Sequence, residues 1–310
     1  MSSATPLSVA AAGMTFQNPL VLAAGTAAYG RELDGVIDLP SLGGLTTKAV
    51  SPEPRAGAPS PRVAEFEHGM INAVGLANPG VEEVARTELP WLAAHRGDAR
   101  VLVNVVGHVV DDFEKVVATL DAAPGFEAFE LNVSCPNVKA GGLEFGADRA
   151  VLSDLVGRVR RTTKRPVFVK LSPTLTNIAD TARAAVDAGA DGITVINTIP
   201  GLVVDVEARR PAIGFGSGGV SGSAIMPVGV LATWRVSRAV KVPVLGVGGV
   251  RTATDAIQYM LAGATLVGVG TAALVDPRTP ERIVRDLGAW CAQHGVRSVR
   301  DLIGTLEWPG

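Results

Sequence analysis

One thiol flanked by amides is the first place where this sequence could do chemistry. Cys135 stands in Glu130–Asn137, ELNVSCPN, between Asn132 and Asn137. Pro136 removes a backbone donor and disfavours helical geometry at Cys135, so the thiol sits where the chain leaves the apolar run 128–133. A thiolate there can serve as a base if its pKa lies near the working pH. A lone Cys is more often a small buried hydrophobe, so its neighbours have to decide. Lys48 follows the apolar run 42–47, Asn104 and Lys170 fall inside the runs 101–105 and 166–171, and Asn197-Thr198 follows 192–196. Burying an unpartnered amide costs roughly 2–7 kcal/mol. Each group has an ordinary explanation taken alone: Lys170 pairs with Glu130, Asn104 satisfies a bulged backbone, Asn197 caps a turn. If the run ends share one face, the set is better explained as a ligand site. Ala24-Gly25, Gly248-Gly249 and Gly270-Thr271 end three further runs, and backbone N–H groups leading into a helix suit phosphate. The four His, 68, 95, 108 and 294, have no ligand spacing, so no metal site is expected.

These residues need elements that bring them together. Eight short apolar runs read as strands: 20–24, 42–47, 101–105, 128–133, 166–171, 192–196, 243–247 and 265–269. Helical patterns lie between or after them at 34–39, 80–95, 111–122, 148–164, 176–188, 228–240, 252–262 and 278–294. Asp148 is placed as an N-cap, and Gly189 and Gly263 as C-caps. Three segments read as loops: a Pro-rich one at 51–62, an apolar one with two Asn at 70–79, and a Gly-rich irregular insertion at 200–227. Near-continuous apolar strands alternating with helices imply a parallel sheet. Eight such units predict a closed (β/α)8 TIM barrel formed by residues 1–310 as one domain; an open doubly wound sheet is the alternative. In the barrel every strand end in the set opens onto the same face, and a phosphate site commonly uses the loops after strands seven and eight.

Composition narrows the function class. The chain has 310 residues, 47% hydrophobic and 19% charged, with a formal net charge of −2. No basic excess points to nucleic acid or to an anionic membrane surface. Two Cys, 135 and 291, make no disulfide framework, which suits a reducing, cytoplasmic setting. No secretory n-region and h-region open the sequence, and no apolar run approaches the roughly 20 residues of a membrane helix.

The motifs together resemble the class 1 dihydroorotate dehydrogenases. The resemblance is carried by Asn132-x-Ser134-Cys135-Pro136-Asn137 with Val138-Lys139-x-Gly141-Gly142, and by Ile71-Asn72-Ala73-Val74-Gly75-Leu76-x-Asn78-Pro79-Gly80. Lys48-Ala49, Val169-Lys170-Leu171-Ser172-Pro173, Asn197-Thr198, Gly218-Gly219-x-Ser221-Gly222, Gly248-Gly249 and Gly270-Thr271 extend it, in order, from about Asn18 to Pro277. The continuation Val138–Gly142 looks like the NAD-linked class 1B branch, that is, its catalytic FMN subunit.

The resemblance implies FMN in the barrel mouth, held by Ala24, Gly25, Lys48, Ala49, Asn104, Asn132, Lys170, Ile196, Gly222, Gly248, Gly249, Gly270 and Thr271. It implies dihydroorotate or orotate held by Lys48, Asn72, Ala73, Val74, Gly75, Leu76, Asn132, Asn137, Asn197 and Thr198. Cys135 would be the base that takes the C5 proton while hydride leaves C6 for the flavin, in the oxidation of dihydroorotate to orotate for pyrimidine synthesis. The segment from Ser134 to Gly146 is expected to act as a lid. Ala24 departs from the Ser often found at this position in the family, which puts one side-chain contact to the flavin in doubt. A homodimer core inside a heterotetramer is implied, with a partner subunit carrying FAD and a [2Fe-2S] cluster and passing electrons to NAD. Three other readings remain: a fumarate-dependent class 1A enzyme, a dihydropyrimidine-oxidising relative, and a flavin-binding barrel without turnover.

Overall fold

The computed structural model describes residues 6–134 and 144–309. Cys135, Asn137 and most of the segment expected to form a lid lie outside them. Eight parallel strands close into a barrel. In chain order they are β1 (Leu20–Leu22), β2 (Gly44–Thr46), β3 (Arg100–Val105), β4 (Ala128–Asn132), β5 (Val167–Leu171), β6 (Gly192–Val195), β7 (Val244–Val247) and β8 (Leu266–Val269). Each pairs with its neighbours in sequence, and β8 returns to β1. Parallel strands covered on both faces read as unbroken apolar runs, which is why the eight were visible in the sequence.

Outer helices bury one stripe each. Arg149–Thr162 turns Leu152, Leu155, Val156 and Val159 inward, at the helical spacing. Asp148 caps it as expected, accepting from the N–H groups of Ala150 (2.8 Å) and Val151 (3.3 Å). The helix from Val81 to His95 carries a π-helical stretch at Val84–Glu88 just before Pro90. A proline ring collides with the carbonyl four residues earlier in a regular helix, and the wider turn accommodates it.

The connection from β1 to β2 differs from expectation. No α-helix forms at 34–39; the chain makes two 3-10 turns, Arg31–Leu33 and Leu39–Ser41. Gly35, at φ +70°, follows the first turn, and Pro40 lies inside the second, where a helix running on from residue 34 would lose a backbone donor. Two expected loops also hold strands. Val63–Phe66, Gly69–Asn72, Gly218–Ser221 and Ile199–Gly201 form a four-stranded antiparallel sheet. Its segments come from the β2–β3 and β6–β7 connections, both of which leave carboxyl ends of barrel strands. The sheet therefore belongs to the same face as the strand ends singled out above. Its polar and glycine-rich composition, Asn72, Gly218 and Gly219 included, hid it from any hydrophobic pattern.

Candidate active site

The barrel interior near its carboxyl end holds a polar cluster. Side chains two apart on a strand share a face, so Glu130 and Asn132 of β4 point the same way. Glu130 is 1% exposed. Its Oε1 accepts from Asn104 Nδ2 on β3 at 2.7 Å, and its Oε2 accepts from Thr194 Oγ1 on β6 at 2.8 Å. Strand β5 separates β4 from β6, so the bond to Thr194 is made inside the barrel. Lys170 on β5 is in register with Asn132 on one side and Thr194 on the other, which puts it in the same interior cluster. It is 7% exposed, and among the described residues it forms no hydrogen bond or ion pair. The ordinary explanation, a Lys170–Glu130 pair, is therefore not what the structure adopts.

Above Lys170 the amides continue. Asn132 Oδ1 accepts from Asn197 Nδ2 at 3.3 Å, and Asn197 Oδ1 accepts from the Thr198 N–H at 2.8 Å. The next residue toward the roof is Gly219, where a Cβ would fall 2.0 Å from Thr198 Oγ1. Gly219 is required by that approach. Asn72 is in register with Gly219 and donates its Nδ2 to the Gly219 carbonyl at 3.1 Å. Ala73 to Leu76 then form a tight turn: Ala73 N–H donates to Arg62 O at 2.8 Å, Val74 O accepts from Ala58 N–H at 3.1 Å, and Gly75 and Leu76 take φ of +70° and +57°. Lys48 is half-buried just past β2, fixed by its own N–H on Ala28 O at 2.7 Å. Ala49 beside it is buried, its carbonyl accepting from Tyr29 Oη at 3.2 Å.

Opposite this polar wall lie backbone turns. Ile196 is buried after β6, its N–H on Val247 O at 3.0 Å. Gly248 and Gly249 leave β7 at φ +134° and +74°. A Cβ on Gly249 would meet Met226 Cβ at 2.7 Å and Gly222 O at 2.9 Å, so the β7 turn and the start of the helix Met226–Ala239 pack backbone to backbone. Thr271 donates to Ser221 Oγ at 2.8 Å and ties the β8 loop to the roof sheet. Ala24-Gly25 turns immediately after β1, beside Gly270: Ala23 N–H donates to Val269 O at 2.9 Å. Tyr259 Oη donates to Gly248 O at 2.7 Å from below. Burial, more than nearby Asp255, pushes that phenol well above its ordinary range, so it serves as a donor.

The strand ends and roof thus bring Ala24, Gly25, Lys48, Ala49, Asn72–Leu76, Asn104, Asn132, Lys170, Ile196, Asn197, Thr198, Gly222, Gly248, Gly249, Gly270 and Thr271 to one end of the barrel. Among the described residues no group of His, Cys, Asp and Glu could hold a metal ion.

A family model described as dihydroorotate dehydrogenase matches residues 6–290. The chain belongs to the dihydroorotate dehydrogenase family. A relative from Desulforudis audaxviator (strain MP104C), named dihydroorotate dehydrogenase B (NAD(+)), catalytic subunit, is 46% identical over 97% of this chain and 98% of its own. Relatives of the same name from Geobacter sp. (strain M21) and Pelobacter propionicus are 43% and 42% identical, over the same shares. The family resemblance read from the motifs therefore holds, and so does its NAD-linked branch.

Three residues in or supporting this family member's site were missed or misassigned from sequence. Glu130 was read only as a partner for Lys170, and Thr194 and Tyr259 carried no signal; Ser221 stood out only as part of the Gly218–Gly222 motif. The clue for Glu130 was available: a carboxylate on the same strand phase as Asn132, two strands from a threonine of matching phase.

Proposed function

We propose that this chain is the catalytic subunit of an NAD-linked dihydroorotate dehydrogenase that oxidises dihydroorotate to orotate in pyrimidine synthesis. The observation that carries the site is Lys170: a buried ammonium at the barrel mouth with no anionic partner among the described residues, ringed by amides and facing glycine turns. An unpaired buried charge of this kind favours an anionic or electron-rich ligand.

FMN fits these residues. Gly222, Gly248, Gly249, Gly270 and Thr271 offer backbone N–H groups and a hydroxyl where a phosphate would lie, close to the start of the helix Met226–Ala239. Ala24, Gly25, Ala49, Asn104, Asn132 and Ile196 would line the ring, with Lys48 and Lys170 supplying positive charge. FMN supplies the two-electron acceptor chemistry when bound. The chain's own residues bind, orient and move a proton. Lys48 would steady the substrate carboxylate, Lys170 would set its positive charge beside the ring, and the amides of Asn72, Asn132, Asn137 and Asn197 would read the pyrimidine edge together with Thr198 and the 73–76 turn. Cys135 removes the C5 proton. The finer assembly is inferred too: two Cys cannot ligate a [2Fe-2S] cluster, which takes four thiolates in its usual form, so FAD and the cluster would sit on a partner subunit, with this chain as a homodimer core. No helix among the described residues is long and apolar enough to cross a membrane; action in the cytoplasm is part of the proposal.

The test is spectroscopic. Purified protein should be yellow, bleach anaerobically on dihydroorotate, and regain colour with NAD only when the partner subunit is added. A colourless protein that takes up no FMN would refute the assignment; recovery with fumarate alone would move it to class 1A.

A further inference from the structure

Glu130 has no place in the roles assigned so far, yet it is the most deeply buried carboxylate of the site. Both its oxygens are used, each taking a donor from a different strand: Asn104 Nδ2 at 2.7 Å and Thr194 Oγ1 at 2.8 Å. A carboxylate can only accept, so this contact uses one N–H of the Asn104 amide and turns its Oδ1 away from Glu130; that oxygen accepts from no described residue. Fixed in this way, Asn104 can offer that oxygen to a ligand as an acceptor. Thr194, the second donor, is the register partner of Lys170. The anion and the ammonium thus occupy the same interior cluster without pairing to each other.

We propose that Glu130 is a positioning residue that fixes the amide of Asn104 and acts as the counter-charge to Lys170, holding down the midpoint potential of the bound flavin. This rests on the FMN reading above. Lys170 favours a reduced ring that carries negative charge; an anion buried among the residues beneath it disfavours the same state. The balance of the two suits onward transfer to an acceptor of low potential. A unit charge within about 10 Å, at an effective dielectric near 20, shifts such an equilibrium by roughly tenfold, and a tenfold shift of a two-electron couple is about 30 mV.

Two variants test this by spectroelectrochemistry of the FMN-loaded protein. Glu130→Gln keeps the size and removes the charge; the potential should rise by roughly tenfold in the reduction equilibrium. Thr194→Val keeps the charge and withdraws one donor from it; the potential should fall. A merely structural role would loosen FMN in both variants without moving the potential in opposite directions. An unmoved or lowered potential in Glu130→Gln overturns the proposal. If that variant does not fold, Thr194→Val decides: a fall supports the counter-charge, no change or a rise overturns it. Wild-type protein that binds no FMN overturns the functional assignment itself, whereas wild-type protein with FMN and an unmoved variant overturns only the role of Glu130.

Discussion

Tyr259→Phe probes how a buried hydroxyl outside the ligand site shapes it. Tyr259 is fully buried, and its Oη donates to the Gly248 carbonyl at 2.7 Å. Gly248 leads the β7 turn, at φ +134°. Removing the hydroxyl leaves a buried carbonyl unpaired, which costs about 1–3 kcal/mol. The same hydroxyl fills the gap toward the helix Met226–Ala239: a Cβ on Gly229 would lie 2.0 Å from Oη and 3.1 Å from Cζ. Gly229→Ala therefore collides with the ring, and most of the collision is with the atom that Tyr259→Phe deletes. The two changes should be coupled, the double variant being less destabilised than the sum of the singles by 0.5 kcal/mol or more, within the range seen for residues in contact (about 0.5–3 kcal/mol). Urea unfolding at constant m-value gives the three differences, and fluorescence titration of apoprotein gives FMN affinity. Tyr259→Phe should also weaken FMN severalfold, because the Gly248–Gly249 N–H groups lose their anchor. Additive singles with unchanged FMN affinity would refute the reasoning.

Two further outcomes follow from the chemistry. Cys135→Ser should keep FMN and bind orotate but slow flavin reduction by dihydroorotate strongly near neutral pH, since a hydroxyl is a far weaker acid than a thiol; an unchanged rate in stopped flow removes Cys135 as the base. Glu144, at the edge of the described residues with a 3.4 Å bond from Thr174 Oγ1, has its carboxyl raised by burial, an effect only partly offset by Ser172 and Thr174. A carboxyl raised on folding contributes stability that is full below its unfolded pKa and lost as pH rises through the folded one. Glu144→Gln should therefore melt higher than wild type at pH 7, with the gap closing toward pH 4; a gap that widens on acidification contradicts this.

Strands were more legible than connections because of what each kind of residue must satisfy. Val167–Leu171 and Val101–Val105 are buried on both faces, so their apolar character is dictated by environment and survives in the sequence. The 34–39 segment carries a helical pattern, but Gly35 and Pro40 set its backbone, and backbone strain outranked periodicity. The roof strand Gly218–Ser221 is built from residues chosen to let another chain segment approach. A Cβ on Gly218 would fall 2.4 Å from Asn72 O, so its glycine records proximity to a strand nearly 150 positions earlier in the chain, which no local window contains.

The same distinction separates the residues of the site that could be read from those that could not. Lys170, Asn132 and Asn197 are conspicuous because a charge or an amide at the end of an apolar strand has no local reason to exist. Glu130 is equally anomalous, but its partners are assigned by barrel closure: only when β6 is brought across from β4 does Thr194 become the second donor, and only then is Lys170 left without the carboxylate it would take in an open sheet. The electrostatics of the mouth is thus a property of topology. Separating Glu130 from Lys170 by giving each its own partners leaves one charge for structure and one for the ligand, and that division is what makes a buried lysine at this position chemically useful.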